Sequence, residues 1–289
     1  MKKLLIICAA LTVCSLLMWG ISSVQARSSL PQPIQEEVED EPILATAEET
    51  GLPPVVADVL PPDDETNEPE LKTEPKTQVP PPLLAFTFDD GPSADYTPLL
   101  LSGLRERGVH VTFFMVGARA EKTPEIVLQA YEDGHVIGGH SYDHSSYITK
   151  LSATSLKVQL QKTDNIIAEI TGDDPPFLLR PPYGAINETV AKRTEKANIL
   201  WNIDPRDWSV RDAEKIYDTI MERVVDGGVV ILHDIYESTV EGALKSIDKL
   251  LEEGWQFVTI PELYEVYGIP LQAGGIYRSP EAYTLPDEY

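Results

Sequence analysis

An α/β fold, built as a parallel barrel of strand–helix units, is what this sequence predicts, and three observations carry the prediction. Seven short apolar runs alternate with helix-patterned stretches between Leu83 and Gly268. Most of these runs are apolar at successive positions rather than at alternate ones, as strands covered on both faces must be. The residues with chemistry to offer fall where the runs end, which is the rim on which parallel barrels carry their sites.

Taken in order, strands are expected over 83–88, 111–116, 136–139, 177–180, 199–203, 229–232 and 257–260. The clearest helix covers 239–253, where Ala243, Leu244, Ile247, Leu250 and Leu251 form one apolar stripe and Gly254 supplies the stop. A second begins at Ser152, holds Leu156, Leu160, Ile166, Ile167 and Ile170 in helical register, and ends at Gly172.

The rest of the 289 residues has a different character. Met1-Lys2-Lys3 is a positive start, residues 4–21 an apolar core, and Val24-Gln25-Ala26 a small-residue cleavage site. Residues 1–26 are therefore expected to be a signal peptide. The apolar run also approaches the shortest membrane span, so the alternative is an uncleaved N-terminal membrane anchor. Either implies export, to the extracellular space or a cell wall. Both cysteines, Cys8 and Cys14, lie in this run, so the exported part has no disulfide and rests on its core. Residues 27–82 are acidic and proline-rich, as in Glu36-Glu37-Val38-Glu39-Asp40-Glu41-Pro42, and lack the periodicity that buries a core. They are expected to form a disordered, self-repelling spacer spanning on the order of 40 Å or more. The net charge of −24 is shared by spacer and domain and argues against nucleic acid as a partner. Residues 269–289, with Gly274-Gly275 and scattered prolines, read as an irregular C-terminal tail whose Tyr277, Tyr283 and Tyr289 pack or stay disordered rather than touch sugar. The oligomeric state is left open.

Two adjacent carboxylates, Asp89 and Asp90, stand in Thr87-Phe88-Asp89-Asp90-Gly91-Pro92, and two histidines, His140 and His144, are spaced i, i+4. A hydrolytic divalent-metal site needs about three protein ligands, an open position for water, and a base, and this set can supply all of them. Side chains alternate along a strand, so if the two aspartates end one, one should bind the metal and the other face the substrate. Either pattern alone also describes a common turn or a helix surface.

Three further segments stand at predicted strand ends: Arg180-Pro181-Pro182-Tyr183-Gly184, Asp204-Pro205-Arg206-Asp207-Trp208 and Ile231-Leu232-His233-Asp234. In order and content the five segments resemble the polysaccharide deacetylase family, also called the NodB-homology family or carbohydrate esterase family 4, over roughly residues 83–268. The resemblance implies a catalytic domain with a distorted (β/α)7 barrel and a role for each matched residue. Asp90, His140 and His144 correspond to ligands of a divalent metal, zinc first, although cobalt or another ion also suits O/N donors. Asp89 corresponds to the catalytic base, oriented by Arg180 through a charged hydrogen bond. The backbone N–H of Tyr183 corresponds to an oxyanion donor. His233 corresponds to the general acid that protonates the leaving amine, with Asp207 as the charge partner that raises its pKa. Trp208 and Leu232 match apolar positions around the acetyl methyl. His110 and His135 match no catalytic position and read as structural.

The activity so implied is metal-dependent removal of N-acetyl groups from N-acetylglucosamine residues of an extracellular polysaccharide, peptidoglycan first. The same chemistry suits an O-acetyl esterase acting on acetylated xylan or a similar polymer. A barrel kept as a wall-binding module without turnover is the non-enzymatic alternative.

Overall fold

The computed structural model describes residues 80–145 and 147–280. The expected signal or anchor over 1–26, almost all of the spacer over 27–82, and the tail beyond residue 280 with Tyr283 and Tyr289 lie outside the described residues.

The strands are β1 (Leu83–Asp89), β2 (Thr112–Met115), β3 (Val136–Gly139), β4 (Leu178–Leu179), β5 (Ala197–Ile199), β6 (Gly228–His233), β7 (Gln256–Phe257) and β8 (Ile276–Tyr277). The helices are α1 (Thr97–Arg107), α2 (Gly117–Ala120), α3 (Pro124–Glu132), α4 (Ala153–Thr171), α5 (Glu188–Thr194), α6 (Asp207–Val210), α7 (Ala213–Arg223), α8 (Glu237–Glu252) and α9 (Ile260–Val266). All strand pairs are parallel, in the order β6-β1-β2-β3-β4-β5-β8, with β7 against the start of β1. Beyond β5 the chain returns to β6. There Ile203 bridges Val230, Ile231 donates its N–H to the Ile203 carbonyl at 3.0 Å, and Val229 donates to Asn202 Oδ1 at 2.7 Å. The sheet closes into the distorted (β/α)7 barrel through this bent segment.

Register sorts the side chains. In β1 and β6 the partners Thr87↔Ile231 and Asp89↔His233 alternate with Phe88↔Leu232. Adjacent residues of a strand face opposite sides, so Phe88 and Leu232 point to the helical layer, where both are fully buried in one cluster with Leu100, Leu104, Ile247 and Leu250. Burying a side chain of this size contributes roughly 1.5–3 kcal/mol, so this layer holds α1 and α8 on the sheet. The opposite set, ending in Asp89 and His233, is delivered to the barrel's C-terminal rim.

Helix ends follow the sequence signals. Ser152 caps α4 by accepting from the Ser155 N–H at 3.1 Å, and Gly172, at φ 72°, ends it. On α8 the buried stripe is Val240, Ala243, Ile247 and Leu250, while Leu251 stays exposed at its edge.

Three expectations are corrected. The fifth strand runs over Ala197–Ile199, not 199–203. Asn198 is fully buried there because its amide donates to the Lys196 and Gly275 carbonyls at 2.9 and 3.0 Å. The partner that permits this polar strand lies in the supposed irregular tail, whose Ile276–Tyr277 adds β8 beside β5, with Tyr277 packed edge-on against Tyr264. The seventh strand stops at Phe257, because Thr259 and Glu262 form a capping box that starts α9 at Ile260.

Candidate active site

Asp89 ends β1, His140 follows β3, Arg180 follows β4 and His233 ends β6, so four separate strand ends converge on one cleft of about 480 Å³. Six of the seven non-glycine residues with positive φ among the described residues sit in the loops and turns of this rim: Asp90, Ser141, His144, Tyr183, Arg206 and Arg211. Left-handed backbone at such residues costs about 1–3 kcal/mol each and persists only where surrounding contacts enforce it.

The first case changes a reading. Asp90 does not continue the strand: at φ 73° it turns back, so its carboxylate and that of Asp89 line the same cleft. The two part in their partners rather than in the face they take. Asp89 Oδ1 accepts from Arg180 Nη1 at 2.7 Å. Asp90 Oδ1 lies 3.5 Å from His140 Nε2 and 3.4 Å from His144 Nε2, and one donor atom from each of these three residues falls within 4.8 Å of the others.

Those separations suit a shared ion. Two atoms bound at about 2.0–2.1 Å to one tetrahedral cation stand roughly 3.3–3.4 Å apart. The ring orientation agrees: His140 Nδ1 is 2.7 Å from the Arg180 carbonyl, which can only accept, so Nδ1 carries a proton and Nε2 is the nitrogen directed at Asp90. Burial opposes ionisation of Asp90, yet interaction with His140 and the charges of His140, His144 and His233 hold its carboxyl well below the usual range. Burial, aided by the His140 charge, pulls His144 down and favours the neutral ligand form. The residues present therefore fit a divalent cation with one carboxylate and two imidazoles.

His144 is not on a helix, the alternative that its spacing left open. It closes a turn in which its N–H donates to Ser141 Oγ at 3.1 Å. Gln159 of α4 fastens the turn from below, accepting from the Tyr142 N–H at 2.9 Å and donating to Asp143 Oδ2 at 2.9 Å.

Arg180 is fully buried, so it is not a surface ion pair. Burial pulls its pKa down, against the charge of Asp89. Each nitrogen of its guanidinium donates: Nη1 to Thr87 Oγ1 and Asp89 Oδ1 at 2.6 and 2.7 Å, Nε to the Ile199 carbonyl at 3.2 Å, and Nη2 to the Leu200 carbonyl at 3.1 Å. The Phe114 ring lies 4.2 Å away. A charge buried this way fixes the Asp89 carboxylate, and removing either partner strands the other.

On the strand neighbouring β1, His233 Nδ1 bonds Asp207 Oδ1 at 2.9 Å, which leaves Nε2 for the cleft. Asp207 is itself fully buried, its Oδ2 accepting from the His233 N–H and from Thr239 Oγ1, each at 2.8 Å. Burial alone would push the imidazolium down. The hydrogen bond and charge of Asp207, with Asp89 and Asp90 behind it, win and raise its pKa to about 9.

Tyr183 is exposed, at φ 61°, with its ring packed at a tilt against both His144 and Tyr147 and its hydroxyl donating to the His144 carbonyl at 3.2 Å. Its backbone N–H has no acceptor among the described residues. Trp208 is 49 % exposed and lines the cleft. Leu232 does not: it is fully buried in the helical layer, and alternation along β6 brings Ile231 to the cleft instead. The expectation for Leu232 is thus corrected to Ile231, a shift that the two-residue spacing from His233 would have indicated. Trp201, Asp204 and Tyr236 also line the cleft, while Thr87 and Thr239 hold Arg180 and Asp207, and none of the five had been singled out. Only their place in the assembled barrel gives them a role. His110 and His135 sit away from the cleft; His135 is buried and its Nδ1 accepts from the Val111 N–H at 3.2 Å.

Comparison with known proteins follows from this geometry. The sequence profile described as polysaccharide deacetylase matches residues 76–200. Peptidoglycan-N-acetylmuramic acid deacetylase PdaC of Bacillus subtilis is 36% identical over 205 residues, covering 71% of this chain and 41% of that protein. The chain thus spans well under half the length of that relative. The solved structure of PdaC covers 65% of this chain and 92% of that chain with a TM-score of 0.63. A family 4 acetyl xylan esterase from Clostridium thermocellum, solved in complex with a cobalt ion, covers 68% of this chain and 98% of that chain at 29% identity and a TM-score of 0.64. A peptidoglycan-N-acetylglucosamine deacetylase of Bacillus cereus is 34% identical over 189 residues, which is 63% of this chain and 87% of that protein. Likeness at this level across nearly a whole relative extends beyond the barrel to its sequence: the chain belongs to the polysaccharide deacetylase family.

Proposed function

We propose that this chain is a divalent-metal-dependent deacetylase that hydrolyses N-acetyl groups on the N-acetylglucosamine residues of an extracellular polysaccharide, with peptidoglycan the first substrate. One observation carries the reading. A carboxylate fixed by a buried arginine, Asp89, and an imidazole fixed by a buried carboxylate, His233, line one cleft together with the cation-fitting group Asp90, His140 and His144.

In this reading Asp90, His140 and His144 hold the metal, zinc or cobalt by donor type. When bound, the ion supplies Lewis acidity toward the acetyl carbonyl and lowers the pKa of water in the cleft. Asp89 takes the proton from the attacking water, its second oxygen held in place because Arg180 occupies the first. The free N–H of Tyr183 donates to the carbonyl oxygen as that oxygen gains charge. His233 gives its Nε2 proton to the nitrogen as the C–N bond breaks, which an amide requires because an amine anion is a very poor leaving group. Asp207 keeps the imidazole charged until then. Trp208 and Ile231 form the apolar wall for the methyl.

Peptidoglycan is favoured because PdaC and the Bacillus cereus relative carry that substrate in their names. An O-acetyl esterase is the second reading, favoured by the acetyl xylan esterase among the similar structures. Export or attachment through the N-terminal segment belongs to the same proposal. Among the described residues no helix is long and apolar enough to cross a membrane. The test is acetate release from N-acetylglucosamine oligomers by the zinc-loaded protein, with Asp89→Asn as blank. Release above the blank is expected. Hydrolysis of acetylated xylan with no release from the amide would replace this reading with the second.

A further inference from the structure

We infer that Arg211 is a positioning residue that sets the width of the acyl end of the cleft, and thereby selects acetyl over longer acyl groups. The inference rests on the deacetylase reading for its substrate but on geometry for its mechanism.

The wall concerned is thin. Trp208 sits on α6, a single turn of helix whose two ends, Arg206 and Arg211, are both left-handed at φ 56° and 50°. The turn is closed by only three backbone hydrogen bonds, from the Ser209 and Val210 N–H groups to the Arg206 carbonyl at 2.9 Å each and from the Arg211 N–H to the Asp207 carbonyl at 3.1 Å, so an exposed indole on it gains from an external brace. Arg211 provides one. Its Nε donates to the Trp208 carbonyl at 2.8 Å. Its guanidinium carbon lies 3.1 Å above the centroid of the Tyr236 ring. Tyr236 is the residue before α8 and lines the cleft beside Trp208. One side chain therefore joins two residues of the cleft wall, above the point where Thr239 joins the same two elements through Asp207.

No carboxylate lies within ion-pair distance of Arg211 among the described residues, and its charge faces the Tyr236 ring instead. A planar fork that donates along its edge while stacking by its face is what the geometry uses. A lysine ammonium, a point charge with no plane, cannot do both.

The consequence is specific. With the brace in place, Trp208 and Ile231 wall the cleft where the proposed mechanism seats the acetyl methyl; without it, the α6 turn can move outward and admit an extra methylene. A close-fitting pocket discriminates one methylene by about 10–200-fold, so loss of the brace should lower the preference for N-acetyl over N-propionyl glucosamine oligomers by about tenfold.

The experiment measures kcat/KM for both oligomers with the zinc-loaded full chain, for wild type, Arg211→Lys and Arg211→Gln. A variant that is only less stable loses both activities alike and keeps the ratio. A comparable fall in the ratio for both variants is expected, and an unchanged ratio in either folded variant overturns the inference. Should either variant fail to fold, Tyr236→Leu, which removes the stacking partner and keeps Arg211, is expected to give the same fall. Acrylamide quenching of Trp208, taken as the difference from a Trp208→Phe background, gives an answer that needs no turnover. If wild type hydrolyses neither oligomer, the deacetylase reading fails; quenching that rises in Arg211→Lys still supports the brace, and unchanged quenching overturns it.

Discussion

In the proposed mechanism a single buried carboxylate, Asp207, sets the working range of the site. It accepts from His233 Nδ1, from the His233 N–H and from Thr239, and with Asp89 and Asp90 it raises the His233 pKa to about 9. An acid needed in its protonated form is available below that value and lost above it, and a cation bound at Asp90 brings the limit lower. Asp207→Asn removes the charge, so the alkaline limb of the kcat/KM profile is expected to move to lower pH and activity to fall by about 10²–10⁴-fold; a profile left in place would remove Asp207 from this role. His135 makes the opposite kind of statement. Burial, then the charge of His110, lowers its pKa to about 4 from 6.5. Between those values the unfolded chain binds more protons, so its contribution to stability is full above about pH 6.5 and is lost as pH falls toward 4, by about 3 kcal/mol at most. Asp234, pushed up to about 7 mainly by burial, works in the reverse direction, because the folded state holds its proton as pH rises from 4. Urea unfolding at pH 4.5 and 7.5 isolates the histidine by subtraction: His135→Gln is expected to lose less stability than wild type on acidification, and equal losses would refute the assignment. The chemistry-bearing side chains gathered in the cleft were legible in the sequence because each stands in an ordered motif, and three of them are among the chain's five histidines. Leu232 was not, since an apolar residue beside a histidine reads alike whether it faces cleft or helices.

Elements decide where those side chains go. The turn after β1 is fitted to its neighbour: a Cβ on Gly91 would stand 2.3 Å from both carboxylate oxygens of Asp234, which is fully buried and bonded by Thr97 Oγ1 at 2.5 Å. A carboxylate so held cannot step aside, so Gly91→Ala is expected to displace the adjacent Asp90. Isothermal titration with zinc should show weakened binding, by about tenfold or more for a disturbed ligand, and undiminished affinity would show that the turn adjusts. Periodicity located β1, β3, α4 and α8 because each has a repeated apolar pattern or explicit end signals such as Ser152 and Gly172. It misplaced β5 and missed β8, because Asn198 is polar and its partner Gly275 lies 77 residues away. A buried amide in a strand is acceptable only once that partner is present.

At the scale of the whole molecule, the site is a property of closure. Asp90, His140 and His144 come from two strand ends, and a cation that binds them binds the folded state alone. At about one hundred times its dissociation constant such a ligand stabilises by roughly 2.7 kcal/mol, so added zinc is expected to raise the melting temperature of wild type and of Asp89→Asn, but not of His140→Ala. A shift retained in His140→Ala would place the ion elsewhere. The sequence alone determined the fold class, the family and the set of residues with chemistry to offer, because strand burial, helix ends and ordered polar motifs are all written within short stretches of chain. Only the tertiary structure decided that Asp89 and Asp90 share a cleft, that Ile231 rather than Leu232 enters it, that the tail adds a strand, and that Arg211 braces the wall. Each of those depends on which distant residue lies alongside, and a partner across the barrel leaves no mark in the local pattern.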